Sequence, residues 1–324
     1  MTLKYLISGA TGGLGSRVLA HIAAHVPSSE YAAASSRESK RHYFEERGIA
    51  FRHADFNEPI TLDAAFEDVE NLFFVSMENF DNDWRVRQHK NVIEAAKRTG
   101  VKHVWYTSLS FGGLESDSKL GVQKAHLATE QLLQESGINY TAIREGLYAE
   151  IFPIFLGWYP ESKKVYASNL GLITLTSRDD LAEANAKLMI RGGYNKETVL
   201  LTANEKIRES DILDIINKTT NRNVELIVLS PQEHVEMLKA NDNRGKPQDY
   251  WDRVLGWHEG IAKGDAELSH PLLRELIGRE PEAGSEAIRK VLLREPNATW
   301  PEATGAPVAG IAKEDITYEA FWAL

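Results

Sequence analysis

Near the start of the chain stands Gly9-Ala10-Thr11-Gly12-Gly13-Leu14-Gly15, a loop whose chemistry comes from missing side chains. Glycine at position 9 allows a tight turn out of a strand, and glycine at 12 lets backbone N–H groups approach a diphosphate. Glycine at 15 lets the next helix pack close to the sheet. Thr11, Gly13 and Leu14 complete the cradle, and the N-terminus of the helix adds partial positive charge toward bound phosphate. No Gly-Lys-Ser/Thr triplet follows, so the loop is not that of a nucleoside-triphosphate hydrolase. It predicts binding of a dinucleotide.

A site that selects NAD ends its second strand with Asp or Glu, which bonds both ribose hydroxyls. Here the segment 31–36 (YAAASS) runs into Arg37, with Lys40 and Arg41 beyond it and Glu30 on the wrong side of the strand. A guanidinium at position 37 can face the adenine and contact a 2′-phosphate, with Ser35 and Ser36 as further donors; otherwise it begins a solvated helix. The missing acid predicts NADP(H). Farther on, Asp55-Phe56 can accept from the adenine amino group and cover the ring, or Asp55 can cap the next segment. At Ser76-Met77 the backbone should pass under the adenosine ribose.

Such a loop needs a strand before it and a helix after it, and the hydrophobic pattern supplies both. Residues 3–8 form a short apolar run, and 16–26 carry apolar positions at helical spacing. Strand-like runs follow at 31–36, 49–52, 71–76, 101–108 and 140–143, with helical patterns at 37–47, 61–66, 85–99 and 124–136 between them. In the helix at 85–99, Val86, Val92, Ile93 and Ala96 face inward and Gly100 ends it. This alternation predicts an α/β fold, a Rossmann-type doubly wound parallel sheet over residues 1–150. Beyond 151 the alternation loosens into a smaller, helix-rich substrate-side region, 151–324, partly interleaved with the first, with Trp251, Trp257, Trp300 and Trp322 scattered through it.

Composition narrows the function classes. The 324 residues carry 37 Lys+Arg against 47 Asp+Glu, a net charge of −10, which argues against general nucleic-acid binding. Hydrophobic residues at 43% provide a sizeable core, and the absence of cysteine removes thiol nucleophiles, disulfides and thiolate metal sites. The first apolar run is too short for a signal-peptide core, and no stretch of about 18 apolar residues follows. A soluble, cytoplasmic protein without membrane contact is expected.

The chain resembles the NmrA-like family, atypical members of the short-chain dehydrogenase/reductase superfamily. The likeness rests on Ile7–Gly15 (ISGATGGLG, with that superfamily's G-x-x-G-x-x-G spacing), Ala54-Asp55-Phe56, Asn91–Ser108 (NVIEAAKRTGVKHVWYTS) and His126–Tyr148 (HLATEQLLQESGINYTAIREGLY), with Trp257–Pro281 similar to longer fungal-type members. The family contains NAD(P)H-dependent quinone and carbonyl reductases and also cofactor-sensing regulators. Short-chain dehydrogenases use Tyr-x-x-x-Lys, and Lys124 stands where that lysine belongs, as in isoflavone-reductase-like relatives. Four residues earlier stands Leu120, which cannot shuttle a proton.

The resemblance therefore leaves the proton donor open. Lys124 can contact the nicotinamide ribose or act as an acid, or be an exposed helix lysine. Ser108, at a strand end beside Thr107, can bond a substrate oxygen or cap a loop, while Tyr106 is expected to face away and pack in the core. The backbone at Gly146 should meet the nicotinamide carboxamide, and the Tyr148 phenol either replaces the missing tyrosine or is structural. His126 and Glu130 share a helix face with His89 in reach, but no clustered third ligand or His-Glu-x-x-His pattern accompanies them, and no metal is expected. Asp179-Asp180 reads as a helix N-cap, and Trp158, Tyr159 and Tyr166 can wall an aromatic pocket or pack in the core. The reading is an NADP(H)-dependent oxidoreductase acting on a carbonyl, quinone or related conjugated small molecule. Its rivals are an NADP(H) sensor that binds a protein partner, and an enzyme that catalyses a rearrangement.

Overall fold

Six short strands, mostly buried except for the edge strand β3, come from the first half of the chain: β1 (Leu3–Ile7), β2 (Tyr31–Ser35), β3 (Ala50–His53), β4 (Val69–Phe74), β5 (His103–Leu109) and β6 (Asn139–Glu145). Strands this buried must be covered on both faces. The structure, a computed structural model, describes residues 2–77, 81–118, 120–240 and 248–299. Trp300 and Trp322 lie outside the described residues.

The helices between these strands provide the cover. α1 (Gly15–His25) follows β1, α2 (Arg41–Glu45) follows β2, α3 (Pro59–Phe66) follows β3, α4 (Asn82–Thr99) follows β4 and α5 (Gly121–Ser136) follows β5. Alternate strand residues divide between two cores. Tyr5, Ile7, Ala33, Phe73, Trp105 and Ile143 pack on the side of α1. Leu6, Ala32, Leu72, Phe74, Tyr106 and Ala142 pack on the side of α3, α4 and α5.

Beyond β6 the chain forms β7 (Leu147–Tyr148), α6 (Pro153–Leu156), β8 (Lys164–Ala167), β9 (Ile173–Thr176), α7 (Arg178–Arg191) and β10 (Glu197–Leu201). It continues through β11 (Lys206–Ile207), α8 (Glu209–Thr220), β12 (Glu225–Val228), α9 (Pro231–Ala240), α10 (Gln248–Lys263), α11 (Leu272–Ile277) and α12 (Gly284–Arg294). The main sheet has seven parallel strands in the order β10-β6-β5-β4-β1-β2-β3. Its seventh strand, β10, comes from beyond residue 150, and α7 packs beside α1. Strand order reverses between β1 and β4, which opens a crevice at the carboxyl ends of the strands.

Three local features differ from the sequence expectation. The segment 37–47 splits into a 3₁₀ turn at Glu38–Lys40 and the short α2. Ser177, not Asp179 or Asp180, caps α7: its hydroxyl accepts from the Asp179 N–H, and Asp180 instead pairs with Arg279 at 2.7 Å and accepts from the Glu282 N–H, tying down the later chain. Beyond β6 the described residues also form two small sheets, β11-β9-β7 and β12-β8, whose two- to four-residue strands are too short for a periodicity to register.

The contact that seats α1 on the sheet is made of backbone. Gly9 adopts φ +61°, and a Cβ on Gly15 would lie 2.3 Å from the Gly9 carbonyl oxygen. Only glycine fits at 15. Gly15→Ala should cost about 1–3 kcal/mol in denaturant unfolding, whereas Gly137→Ala, at φ +79° with nothing within 4 Å, should cost only the backbone strain of about 1 kcal/mol.

Candidate active site

The crevice at the strand reversal is a groove floored by the glycine loop and closed on the sides by the ends of β2, β3 and β4. Gly9, Thr11, Gly12, Gly13, Leu14, Gly15, Arg37, Phe56, Ser76 and Met77 all line it, joined by Ser8, Ala34, Ser35, Ser36, Ala54 and Val75. The loop is fitted to an anion. Helix α1 begins with no side-chain cap and no acid in its first turn, while α4 is capped by Asp81 and α7 by Ser177. Ser16 and Arg17 give their N–H groups to the Gly12 and Leu14 carbonyls, so the N–H groups of Gly13, Leu14 and Gly15, which line the groove, are the ones that remain for a ligand. Arg37 reaches across from the end of β2 and donates through Nη2 to Thr11 Oγ1 at 3.0 Å, which places the guanidinium over the groove. Neighbouring Arg41 is committed to Glu38 and Glu45 and stacks on Phe51. Asp55 does not line the groove. Its carboxylate accepts from the backbone and side-chain amides of Asn57, the capping alternative, while Ala54 and Phe56 on either side face the ligand space.

A second cleft continues from Ser76 across the ends of β5 and β6, lined by Thr107, Ser108, Leu109, His126, Glu145, Gly146 and Tyr148. Gly146 is dictated by packing, since a Cβ there would sit 2.2 Å from Thr176 Oγ1. Ser108 Oγ donates to Glu130 at 2.5 Å, and Glu130 in turn accepts two bonds from Arg144, so this hydroxyl proton is already directed at a carboxylate. Tyr148 is buried and its hydroxyl donates to Glu145 Oε2 at 2.6 Å, while the Arg178 guanidinium lies 4.6 Å over its ring. Asn185 of α7 donates to the other carboxylate oxygen at 2.7 Å. Burial pushes Glu145 up to about 7, against the opposing effects of Tyr148, Asn185 and Arg178. The Tyr148 phenol is pushed well above its ordinary value by burial and by the Glu145 charge.

Beneath the cleft on the α4 and α5 side lies a buried polar chain. Arg85 donates to Ser76 Oγ at 2.5 Å and to His126 Nε2 at 2.7 Å. A guanidinium cannot accept, so Nε2 carries no proton, and Nδ1–H donates to the Tyr106 oxygen at 2.9 Å. His89 accepts the Met77 N–H at 3.0 Å and donates to Thr129, which fixes the backbone under the groove. Burial and the Arg85 charge hold His89 well below its ordinary value, as a neutral ring.

The structure gathers most of the expected residues and sets two apart, Asp55 and Lys124. Lys124 is exposed on α5 and lines neither cleft, because the buried face of that helix runs through Gln123, Ala125, His126, Thr129 and Leu133. Tyr106 is buried as expected but shares the face of Ser108 and carries its phenol into the polar chain. Trp158 is fully buried against Phe152 and belongs to the core. His126 and Glu130 are held by Arg85 and Arg144, and among the described residues no three histidines, aspartates or glutamates gather as a metal set. Sequence reading missed Glu145, Arg85 and Arg178. A signal existed for Arg85: with Gln88 and His89 it continues the inward stripe of Val92, Ile93 and Ala96, polar residues where the helix pattern asks for apolar ones.

Comparison with known proteins agrees with this geometry. Residues 9–189 match a family described as NAD(P)H-binding. The chain is 46% identical over 300 residues to an NmrA-like family domain-containing oxidoreductase of Aspergillus flavus, covering 92% of this chain and 98% of that protein. It belongs to the NmrA-like family. This NmrA-like chain is also 30% identical over 287 residues to quinone oxidoreductase 2 of Escherichia coli, covering 87% and 96%. The solved structure of the Citrobacter triphenylmethane reductase complexed with NADP(H) matches with a TM-score of 0.74 at 29% identity, over 89% of this chain and 99% of that one. The protein is an NAD(P)H-dependent oxidoreductase with a Rossmann-like sheet. Among the described residues no helix is long and apolar enough to cross a membrane.

The raised Glu145 carboxyl has a thermodynamic consequence. Between its unfolded value, about 4.3, and about 7 the folded protein binds more protons than the unfolded chain, so the contribution of this group falls as pH rises through that window. Wild type should therefore lose on the order of 3 kcal/mol from this group between pH 4 and pH 8, a loss absent in Glu145→Gln. Paired unfolding curves isolate it from Glu209, also pushed up to about 7 by burial, because both proteins keep that residue.

Proposed function

We propose that this protein is an NADP(H)-dependent reductase that delivers hydride to a quinone, a carbonyl or a related conjugated small molecule. The observation that carries the cofactor choice is Arg37, held by Thr11 over the groove at a strand end that offers hydroxyls and no carboxylate. When bound, the reduced nicotinamide supplies the hydride. The uncapped start of α1 and the glycine loop receive the diphosphate, and Arg37 with Ser35 and Ser36 receives the 2′-phosphate. Phe56 and Met77 border the adenosine, and Gly146 and Tyr148 border the nicotinamide end. The quinone oxidoreductase and the triphenylmethane reductase among its relatives support a flat, conjugated acceptor.

For the proton, Tyr148 is the candidate this geometry favours. Ser108 directs its hydroxyl at Glu130, a carboxylate already ion-paired with Arg144, and Lys124 projects from the exposed side of α5. One observation favours the cofactor-sensing alternative: Leu120, where the usual tyrosine would stand, is buried and carries no proton. Turnover decides between them. Steady NADPH consumption with 1,4-benzoquinone supports the reductase, and tight NADPH binding without consumption of any quinone or aromatic carbonyl supports the sensor.

Arg37→Ala should weaken NADPH by roughly 10–150-fold, the equivalent of about 1.5–3 kcal/mol for a charge-assisted contact, and leave NADH within about two-fold. Fluorescence titration measures both, and equal losses would remove Arg37 from the 2′-phosphate. Lys124→Met should leave NADPH affinity and kcat within a few-fold. A loss of ~10²–10⁴ in kcat alone would return the acid role to Lys124.

A further inference from the structure

Tyr148 and Glu145 share one short hydrogen bond, and its direction depends on which oxygen holds the proton. With Glu145 ionised, the phenol donates to Oε2 across the 2.6 Å contact, and the phenol proton is directed away from the cleft. With Glu145 protonated, the carboxyl O–H donates to the phenol oxygen, and the phenol proton turns to the cleft that both residues line. Asn185 holds Oε1 in either state. We propose that Glu145 is the proton reservoir of the reductase described above, loading Tyr148 for transfer to the substrate oxygen and taking the charge afterwards.

The step balances, and it rests on the reductase reading. Hydride adds to the conjugated acceptor, the carbonyl π bond breaks, and its electron pair moves to oxygen. That oxygen forms a bond to the Tyr148 proton while the phenol oxygen takes the Glu145 proton. The substrate is reduced by two electrons that arrive with the hydride, and Glu145 is left as a carboxylate accepting from Tyr148 and Asn185. After product leaves, the open cleft returns a proton to Glu145 from water.

The surroundings suit a group that changes charge. Arg178 and Asn185 of α7 face the pair and favour the carboxylate, while burial opposes it. Glu150, just past β7, adds negative charge near the phenol. The neighbours in register on β5 and β10 are Leu109 and Leu201, which do not titrate. Opposed influences of this kind bring Glu145 up to about 7, where both states are populated at neutral pH. Ser108 has no comparable reservoir, since its acceptor Glu130 is already ion-paired with Arg144 at 2.7 Å.

Two measurements test the proposal, the first of them separately from the reductase reading. Infrared titration of the protein alone, wild type minus Glu145→Gln, should show a protonated-carboxyl band that disappears with a midpoint near pH 7. No such band between pH 5 and 9 overturns the reservoir whatever the enzyme reduces. With NADPH and 1,4-benzoquinone, wild-type kcat should fall on the alkaline side with that same midpoint. Glu145→Gln should be flat across the range and slower by on the order of 10²-fold, and Tyr148→Phe should be at least as slow, both with NADPH affinity within about two-fold of wild type. A Gln variant that keeps wild-type kcat and its pH profile overturns the proposal. So does a loss of kcat that tracks a loss of NADPH affinity, the mark of a merely structural pair. If the band titrates but wild type consumes no NADPH with any quinone or aromatic carbonyl, the reductase reading has failed and the reservoir role falls with it.

Discussion

The close approach of α1 to the turn after β1 sets the geometry of everything downstream. Where Gly15 meets the Gly9 carbonyl there is no room for a single methyl group, and that absence lets the helix start directly over the sheet edge. A helix seated there, uncapped, leaves the N–H groups of Gly13, Leu14 and Gly15 at the crevice of the strand reversal. The ends of β2, β3 and β4 then fall at fixed distances around it, which is why Arg37, Phe56 and Ser76 share one groove.

The other half of the site depends on how buried charge is managed. Arg144 is satisfied completely: it grips Glu130 through two nitrogens and holds the carbonyls of Gly113 and Leu114. This joins β6, α5 and the loop after β5 in one rigid corner. Arg85, only 1% exposed, ties Ser76 to His126 on the opposite edge of the cleft. Uncompensated burial of either guanidinium would cost several kcal/mol, a large share of a domain's net stability. Glu145 differs from both. Its hydrogen bonds offset burial only partly, and a carboxyl left in that balance titrates where catalysis can use it.

The usual tyrosine-lysine pair of short-chain dehydrogenases is therefore dispersed rather than copied. Leu120 fills the tyrosine position with core packing, and Lys124 points to solvent. The phenol at the cleft arrives from β7, a two-residue strand paired with β9, and its partner carboxyl from the end of β6. Gly146 between them makes this possible, because Thr176 of β9 packs where its side chain would be. In the proposed reaction, a site built this way keeps the sheet's ligand position while changing which element carries the proton.

By itself the sequence determined the parallel sheet, the cofactor groove and the family. Those rest on local facts: glycines at fixed offsets, short apolar runs, a missing acid after β2, and the period of each helix. The tertiary structure alone decided the chemistry at the far end of the groove. Lys124 and His126 sit two residues apart on one helix, and only the packing of α5 turns one to water and the other to the cleft. Asp55 and Phe56 are adjacent, and only the second lines the groove. Glu145 carries no motif; its character comes from Asn185 and Arg178, 40 and 33 residues away on α7, and from the water that packing excludes. Spacing along the chain reports which residues share a helix or a strand face. The desolvation and through-space contacts that tune a proton belong to the folded assembly.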